Sequence, residues 1–326
     1  MTRSSVPPPV TAVMDAASAW LPARMAVVED RLAELAGAYG PKLGEEAEAT
    51  LKAGGKRLRP ILVLMAAGDG AGDRAIRVAT AVELLHMATL VHDDVLDGAP
   101  VRRGRPTVVA RSGRDRAVGV GDLLLSRAFA ELAVGGGGAE VAELSSASVA
   151  LALGELAQRS DTYDTSISEQ RYLERCSLKT ARLFESACRM GRLASGRPGT
   201  ESLGSFGREI GLAFQLLDDV LDVTGPPERT GKARGTDLLD GTVTLPLILA
   251  RRLDPELESV ELRGLDQARA EEICDRIAAT EALDQVRNRA KGGIARAKGI
   301  LESADLSEEE GQLLGMIADG VVERYS

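Results

Sequence analysis

The chain has 326 residues with 40 Lys+Arg against 49 Asp+Glu, a formal net charge of −9. That balance argues against general nucleic-acid binding, which needs a basic surface. Apolar residues make up 44% and aromatics only 3%, so the core is built from Leu, Ala, Val and Ile, which favours packed helices over a β-sandwich. Along the chain, residues 1–10, with three consecutive prolines, read as a disordered arm, and residues 11–326 as one all-α domain. Leu32, Leu35 and Ala36 share a helical stripe. Val78, Ala81, Val82, Leu85, Met87, Ala88 and Val91 form an apolar face wide enough for a helix buried on most sides. Further helical stretches carry Leu144, Leu151, Leu153 and Leu156, then Leu203, Phe206, Ile210, Phe214 and Leu217. Gly and Pro clusters at 135–138, 196–199 and 225–227 punctuate them. The pattern predicts roughly ten to twelve helices and no sustained strand alternation. The apolar run Ile61–Ala67 is far short of the ~20 residues a transmembrane helix needs, so no transmembrane segment is expected. Cys176, Cys188 and Cys274 lack metal-ligand spacing and read as reduced thiols of a cytoplasmic protein.

One pentapeptide occurs twice, as Asp93-Asp94-Val95-Leu96-Asp97 and as Asp218-Asp219-Val220-Leu221-Asp222. Each copy follows an apolar helical run and precedes a helix breaker. On a helix the first and last Asp of each copy lie about 40° apart, one turn along, and project from one face. Asp94 and Asp219 point aside and support. Like charges at i and i+4 repel by a few tenths of a kcal/mol, and acids near a helix C-terminus oppose the macrodipole by about 0.3–1 kcal/mol each. A divalent cation offsets this repulsion. Hard oxygen ligands without Cys or His at metal spacing suggest Mg²⁺, which keeps waters and bridges to phosphates.

Basic residues cluster despite the acidic total. Gly54-Gly55-Lys56-Arg57-Leu58-Arg59-Pro60 places three cations on a Gly-led turn, and Arg102, Arg103 and Arg105 follow the first Asp motif. Lys179-Thr180 lies mid-chain, and Lys232 and Arg234 follow the second motif. Taken alone, each cluster reads better as a solvated face. Interleaved with two Mg²⁺-type motifs, they read as sites for two polyphosphates. His86 lies two turns before Asp93 on the same face and can donate to a phosphate. His92 points off that face and reads as a core histidine.

These residues make the sequence resemble the trans-isoprenyl diphosphate synthases (polyprenyl synthetases). The likeness covers about residues 45–320: GGKRLRP, two DDxxD motifs, RRGRPT, a KT pair, FQLLDD and GK…DLLDG…TLP. It implies a single all-helical bundle of the isoprenoid synthase type with a central cleft. It also implies a prenyltransferase that condenses isopentenyl diphosphate with an allylic diphosphate. By resemblance, Asp93, Asp97 and Asp218 bind Mg²⁺, assisted by Asp94, Asp219 and Asp222. Three ions per site are implied, with Mn²⁺ as a substitute. Lys56, Arg59, His86 and Arg103 match the isopentenyl diphosphate set. Arg102, Lys179, Thr180, Gln215 and Lys232 match the allylic diphosphate set, with Lys179 counted among the catalytic residues. A homodimer is the usual assembly, and a small regulatory subunit stays open. One departure is Thr242 after Gly241, where many members have Lys.

Chain length is read from the turns before Asp93. Val82, Leu85, Ala88 and Thr89 are not aromatic, and nothing is inserted within the first Asp motif. Short-product members often carry a bulky aromatic near the Ala88 position. A medium- to long-chain product is therefore expected. A short-chain farnesyl or geranylgeranyl diphosphate synthase is the alternative. A terpene cyclase fits less well, because cyclases keep one DDxxD motif. A non-catalytic partner subunit also fits less well, because both motifs are intact.

Overall fold

The structure, a computed structural model, describes residues 8–38, 45–47, 49–51, 55, 57–102, 104–134, 137–225 and 233–323. Lys56, Arg103 and Lys232, and residues 1–7 of the expected arm, lie outside the described residues. Helix α1 (Pro8–Ala16) begins inside the stretch read as an arm. After it come α2 (Leu21–Gly37), α3 (Leu58–Ala67) and α4 (Asp73–Asp97). A two-stranded hairpin, β1 (Val101–Arg102) and β2 (Arg105–Pro106), pairs Val101 with Pro106 and Arg102 with Arg105. The chain continues through α5 (Val108–Ser112), α6 (Arg114–Ala133), α7 (Gly138–Ser160) and α8 (Glu169–Cys176). A π-helical turn (Ser177–Ala181) leads into α9 (Arg182–Ser195) and α10 (Thr200–Thr224). The last third holds α11 (Thr236–Leu239), α12 (Leu245–Ala250), α13 (Pro255–Glu258), α14 (Gln267–Ala278), α15 (Ala282–Ser303) and α16 (Glu308–Glu323). The sixteen α-helices among the described residues exceed the expected number because several are single turns, too short for a periodic stripe to reveal.

Helix α4 is the axis of the bundle. Its interior lacks Gly and Pro, Asp73 complements the dipole in its first turn, and Gly98 stops it at φ 61°. The wide apolar face read from the sequence is buried along its length, from Val78 to Val91. By length and composition α4 could cross a membrane, but 67% of its apolar window is buried inside the protein. It packs chiefly on α6, and also on α3, α9 and α2; α10 packs on α9 and α15. Buried Glu131 on α6 accepts from Arg31 of α2 at 3.0 Å and Arg77 of α4 at 3.3 Å, tying three helices at one point.

The helical stretch expected at Leu144–Leu156 is α7, and its apolar residues divide between two faces. Leu144 and Leu151 of α7 are buried, but Val149, Leu153 and Leu156 are 57%, 52% and 63% exposed. At ~100° per residue Leu144 and Leu151 fall on one side of α7, and Val149, Leu153 and Leu156 on the opposite one. At the far end of α9, Ser307 and Glu310 cap α16 reciprocally: Ser307 N donates to Glu310 at 2.9 Å and Glu310 N to the Ser307 hydroxyl at 3.2 Å. Arg197 Nη2 donates to the same Glu310 carboxylate at 2.8 Å.

Candidate active site

The first Asp motif ends α4 and the second lies in the last two turns of α10. Asp94 is buried and accepts from Arg102 Nε at 2.6 Å. That bond folds the β1–β2 hairpin back on the end of α4. Asp97 is exposed and pairs with Arg159 Nη2 of α7 at 2.5 Å. Burial raises the Asp93 carboxyl to about 6; Glu155 and Asp97 add to the rise, while Lys179 and Arg102 oppose it. Asp93, Asp97, Glu155, Lys179 and Arg102 therefore share one locality, as the helix geometry of the motif predicts for its two outer acids.

Lys179 and Thr180 sit on the π-helical turn. Such turns widen the helix locally and re-aim side chains. This one is gripped from both sides by glycines. A Cβ on Gly154 of α7 would lie 2.6 Å from Lys179 N, and one on Gly211 of α10 would lie 2.8 Å from Ala181 Cα. Only hydrogen at both positions lets the three backbones approach so closely. Lys179 Nζ then donates to Glu155 Oε2, whose other oxygen accepts from Arg159 Nε at 2.8 Å. Thr180 Oγ1 donates to Gln215 Oε1 at 2.7 Å, and Gln215 Nε2 donates to Asp219 Oδ1 at 2.7 Å. The buried Tyr172 hydroxyl donates to Asp219 Oδ2 at 2.5 Å. Two polar chains thus meet at neighbouring residues, one running from Asp97 to Lys179 and the other from Thr180 to Asp219.

The other site residues fall around this junction. Arg59, on the first turn of α3, places its guanidinium 4.5 Å above the Phe184 ring, one turn beyond Thr180. Phe184 packs in turn on Phe214, beside Gln215. His86 is half-buried on α4. His92, read as a core histidine, is instead half-buried: it lies over Gly121 of α6 and within 3.3 Å of the exposed Asp122. Asp218 is exposed, and Asp222 is half-buried and accepts from the Asp237 N–H at 3.2 Å. Val82, Leu85 and Ala88 are buried and Thr89 is half-buried. Arg57, one of the three cations on the Gly-led turn, faces inward: it takes φ 48° and pairs with Glu29 at 2.6 Å and Glu83 at 2.7 Å. Thr242 follows Gly241, whose missing side chain makes room for the Tyr163 ring.

Sequence reasoning missed Glu155, Arg159 and Tyr172. An i, i+4 Glu–Arg pair on a helix is common on surfaces, and only the fold brings it to Asp97. Gln215, expected on a phosphate, has both ends of its amide engaged by Thr180 and Asp219.

Among the described residues no three carboxylate, imidazole or thiol side chains already converge as a cation cage. The donor chemistry nonetheless fits hard divalent cations. The ligands are carboxylate oxygens, and burial raises the Asp93 carboxyl with Asp97 and Glu155 close by, a setting in which a bound cation would favour the ionised form. A separate cavity of about 520 Å³ at the other end of α3, lined by Trp20, Met65, Arg197 and Leu313, holds none of the site residues.

The profile of the family described as polyprenyl synthetase matches residues 41–280. Heptaprenyl diphosphate synthase component 2 of Geobacillus stearothermophilus is 38% identical over 89% of this chain and 92% of that protein. Among solved structures, a decaprenyl diphosphate synthase from Rhodobacter capsulatus superposes with a TM-score of 0.88 at 32% identity, covering 97% of this chain and 99% of that one. A heptaprenyl diphosphate synthase from Staphylococcus aureus superposes with the same score at 28% identity, covering 94% and 99%. The motifs, the helical bundle and these relatives agree, and the chain belongs to the polyprenyl synthetase family of trans-prenyltransferases.

Proposed function

We propose that this prenyltransferase condenses isopentenyl diphosphate with an allylic diphosphate, in the presence of Mg²⁺, to make an all-trans polyprenyl diphosphate of medium or long chain. The observation that carries this reading is the junction at Lys179-Thr180, where polar chains from both Asp motifs meet. Asp93, Asp97 and Asp218 are the proposed direct metal ligands, and Asp94, Asp219 and Asp222 hold them in place. Divalent cations held there would supply positive charge to the allylic diphosphate and make it a better leaving group. Lys179, Thr180, Arg102 and Lys232 orient that diphosphate, and Gln215 fixes Thr180. Lys56, Arg59, Arg103 and His86 hold isopentenyl diphosphate so that its double bond faces the allylic carbon. The allylic C–O bond breaks with its electron pair leaving on the diphosphate. The isopentenyl double bond attacks the resulting cation, and the departing diphosphate accepts the proton then lost.

The absence of aromatic side chains at Val82, Leu85, Ala88 and Thr89 supports a medium or long product, as do relatives named for heptaprenyl and decaprenyl products. The test is incubation of the pure protein with labelled isopentenyl diphosphate and a series of allylic primers, followed by sizing of the products.

The exposed Val149–Leu153–Leu156 stripe supports a homodimer, because a second copy would cover it. A second polypeptide is the other reading, favoured by the words "component 2" in the name of the Geobacillus relative. Light scattering on the pure chain separates the two. A dimer that Leu153→Glu splits supports the first, and a monomer that is inactive alone supports the second.

A further inference from the structure

Arg159 belongs to none of the motifs that carry the family resemblance, yet it lies against one of the proposed metal ligands. Its Nη2 donates to Asp97 Oδ1 at 2.5 Å, and its Nε is held by Glu155 Oε1 at 2.8 Å. Glu155 is in turn held by Lys179. The guanidinium thus bridges the end of α4 to the end of α7 and engages one oxygen of a proposed metal ligand. Asp97 and Arg159 are each about one-third exposed, at 35% and 37%. A pair so placed exchanges partners at little cost.

We propose that Arg159 is the internal counter-ion of the first Asp motif, and that it makes divalent cation and diphosphate bind cooperatively. The proposal rests on the metal reading above. A cation arriving alone must displace or tolerate a positive charge on Asp97. A cation arriving with diphosphate brings phosphate oxygens that accept the released guanidinium in its preferred two-pronged geometry. Diphosphate therefore raises the affinity for the cation, and the cation raises the affinity for diphosphate by the same factor. Arg159 thus acts on Asp97 in the free protein and on the diphosphate in the complex.

The test is Mn²⁺ binding to the full chain by electron paramagnetic resonance, with and without inorganic diphosphate. Without diphosphate, Arg159→Leu should bind Mn²⁺ ~3–10-fold more tightly than the wild type, since a neighbouring unit charge has been removed. The gain on adding diphosphate should shrink in that variant. Without diphosphate, Arg159→Lys keeps the charge and should stay near the wild type, which separates the charge from a packing role. Arg159→Gln takes the place of the leucine variant if that protein does not fold. Equal or weaker Mn²⁺ binding by the neutral variants, in a wild type that does bind Mn²⁺, overturns the role of Arg159 alone. No Mn²⁺ binding by the wild type, with or without diphosphate, overturns the metal reading and this proposal with it.

Discussion

The same five residues end α4 and lie near the end of α10, and their surroundings differ. In the first copy the buried middle acid, Asp94, is held by a cation, Arg102, and the outer acid Asp97 by another, Arg159. In the second copy the buried middle acid, Asp219, is held by neutral donors, Tyr172 and Gln215. Burial, with Asp237 and Asp218 nearby, pushes the Asp219 carboxyl up. Sequence identity therefore fixes the local helix geometry but not the electrostatics. The first motif is charge-compensated from within the protein, and the second is fixed by hydrogen bonds that leave its outer acids Asp218 and Asp222 to other partners.

The largest expected effect removes the feature both copies share. Asp93→Ala or Asp218→Ala should lower kcat by ~10³-fold, about 4 kcal/mol of transition-state stabilisation. Steady-state kinetics at saturating substrate checks this, and near-normal turnover by either variant would show that one motif is dispensable. The next effect sharpens the contrast. Tyr172→Phe removes a neutral donor from a buried acid and should cost about 1–2 kcal/mol of stability by urea denaturation. Arg102→Leu leaves Asp94 without its cation, but at a partly exposed pair, and should cost about 1 kcal/mol. A larger loss for Arg102→Leu than for Tyr172→Phe would reverse the ranking of the two environments.

Ala88→Phe probes the first motif's helix one turn below the site. The variant should stay active and release shorter chains of farnesyl or geranylgeranyl length. Elongation to the wild-type length would mean that the product does not pass Ala88. The smallest effect lies away from both motifs and serves as a control. Hydrogen bonds from Arg197, opposed by partial burial and aided by the Ser307 N–H, hold the Glu310 carboxyl down to about 2. A depressed carboxyl contributes stability above its unfolded pKa and loses it as pH falls through the folded value. The contribution is therefore complete above about pH 4.5 and fades toward about pH 2. Because Arg197 is partly exposed, about 1 kcal/mol is expected after screening. Glu310→Gln should lose that stability at neutral pH and match the wild type near pH 2 in denaturation curves.

Much of this was legible in the sequence, for identifiable reasons. Asp93 and Asp97 share a face because helix period and spacing dictate it, and α4 is buried because its apolar face is nearly continuous. Lys179 and Thr180 were placed by motif, but the π-helical turn that presents them depends on Gly154 and Gly211, which lie far away in the chain. Arg159 was invisible because its partner Asp97 sits on another helix, and nothing in the local sequence of α7 points to α4. Leu153 and Leu156 mark a helical stretch in the sequence, but their exposure shows only in the fold, because apolar spacing does not say what covers a face.

The most direct measurement is elongation by the pure wild-type protein. Labelled isopentenyl diphosphate and farnesyl diphosphate are incubated with it in Mg²⁺ or in EDTA, and the extracted products are separated by length. Polyprenyl products longer than geranylgeranyl in Mg²⁺, and none in EDTA, are the predicted result. Equal elongation in EDTA would contradict the role given to the two Asp motifs, and products that stop at geranylgeranyl length in Mg²⁺ would contradict the chain length proposed from Ala88.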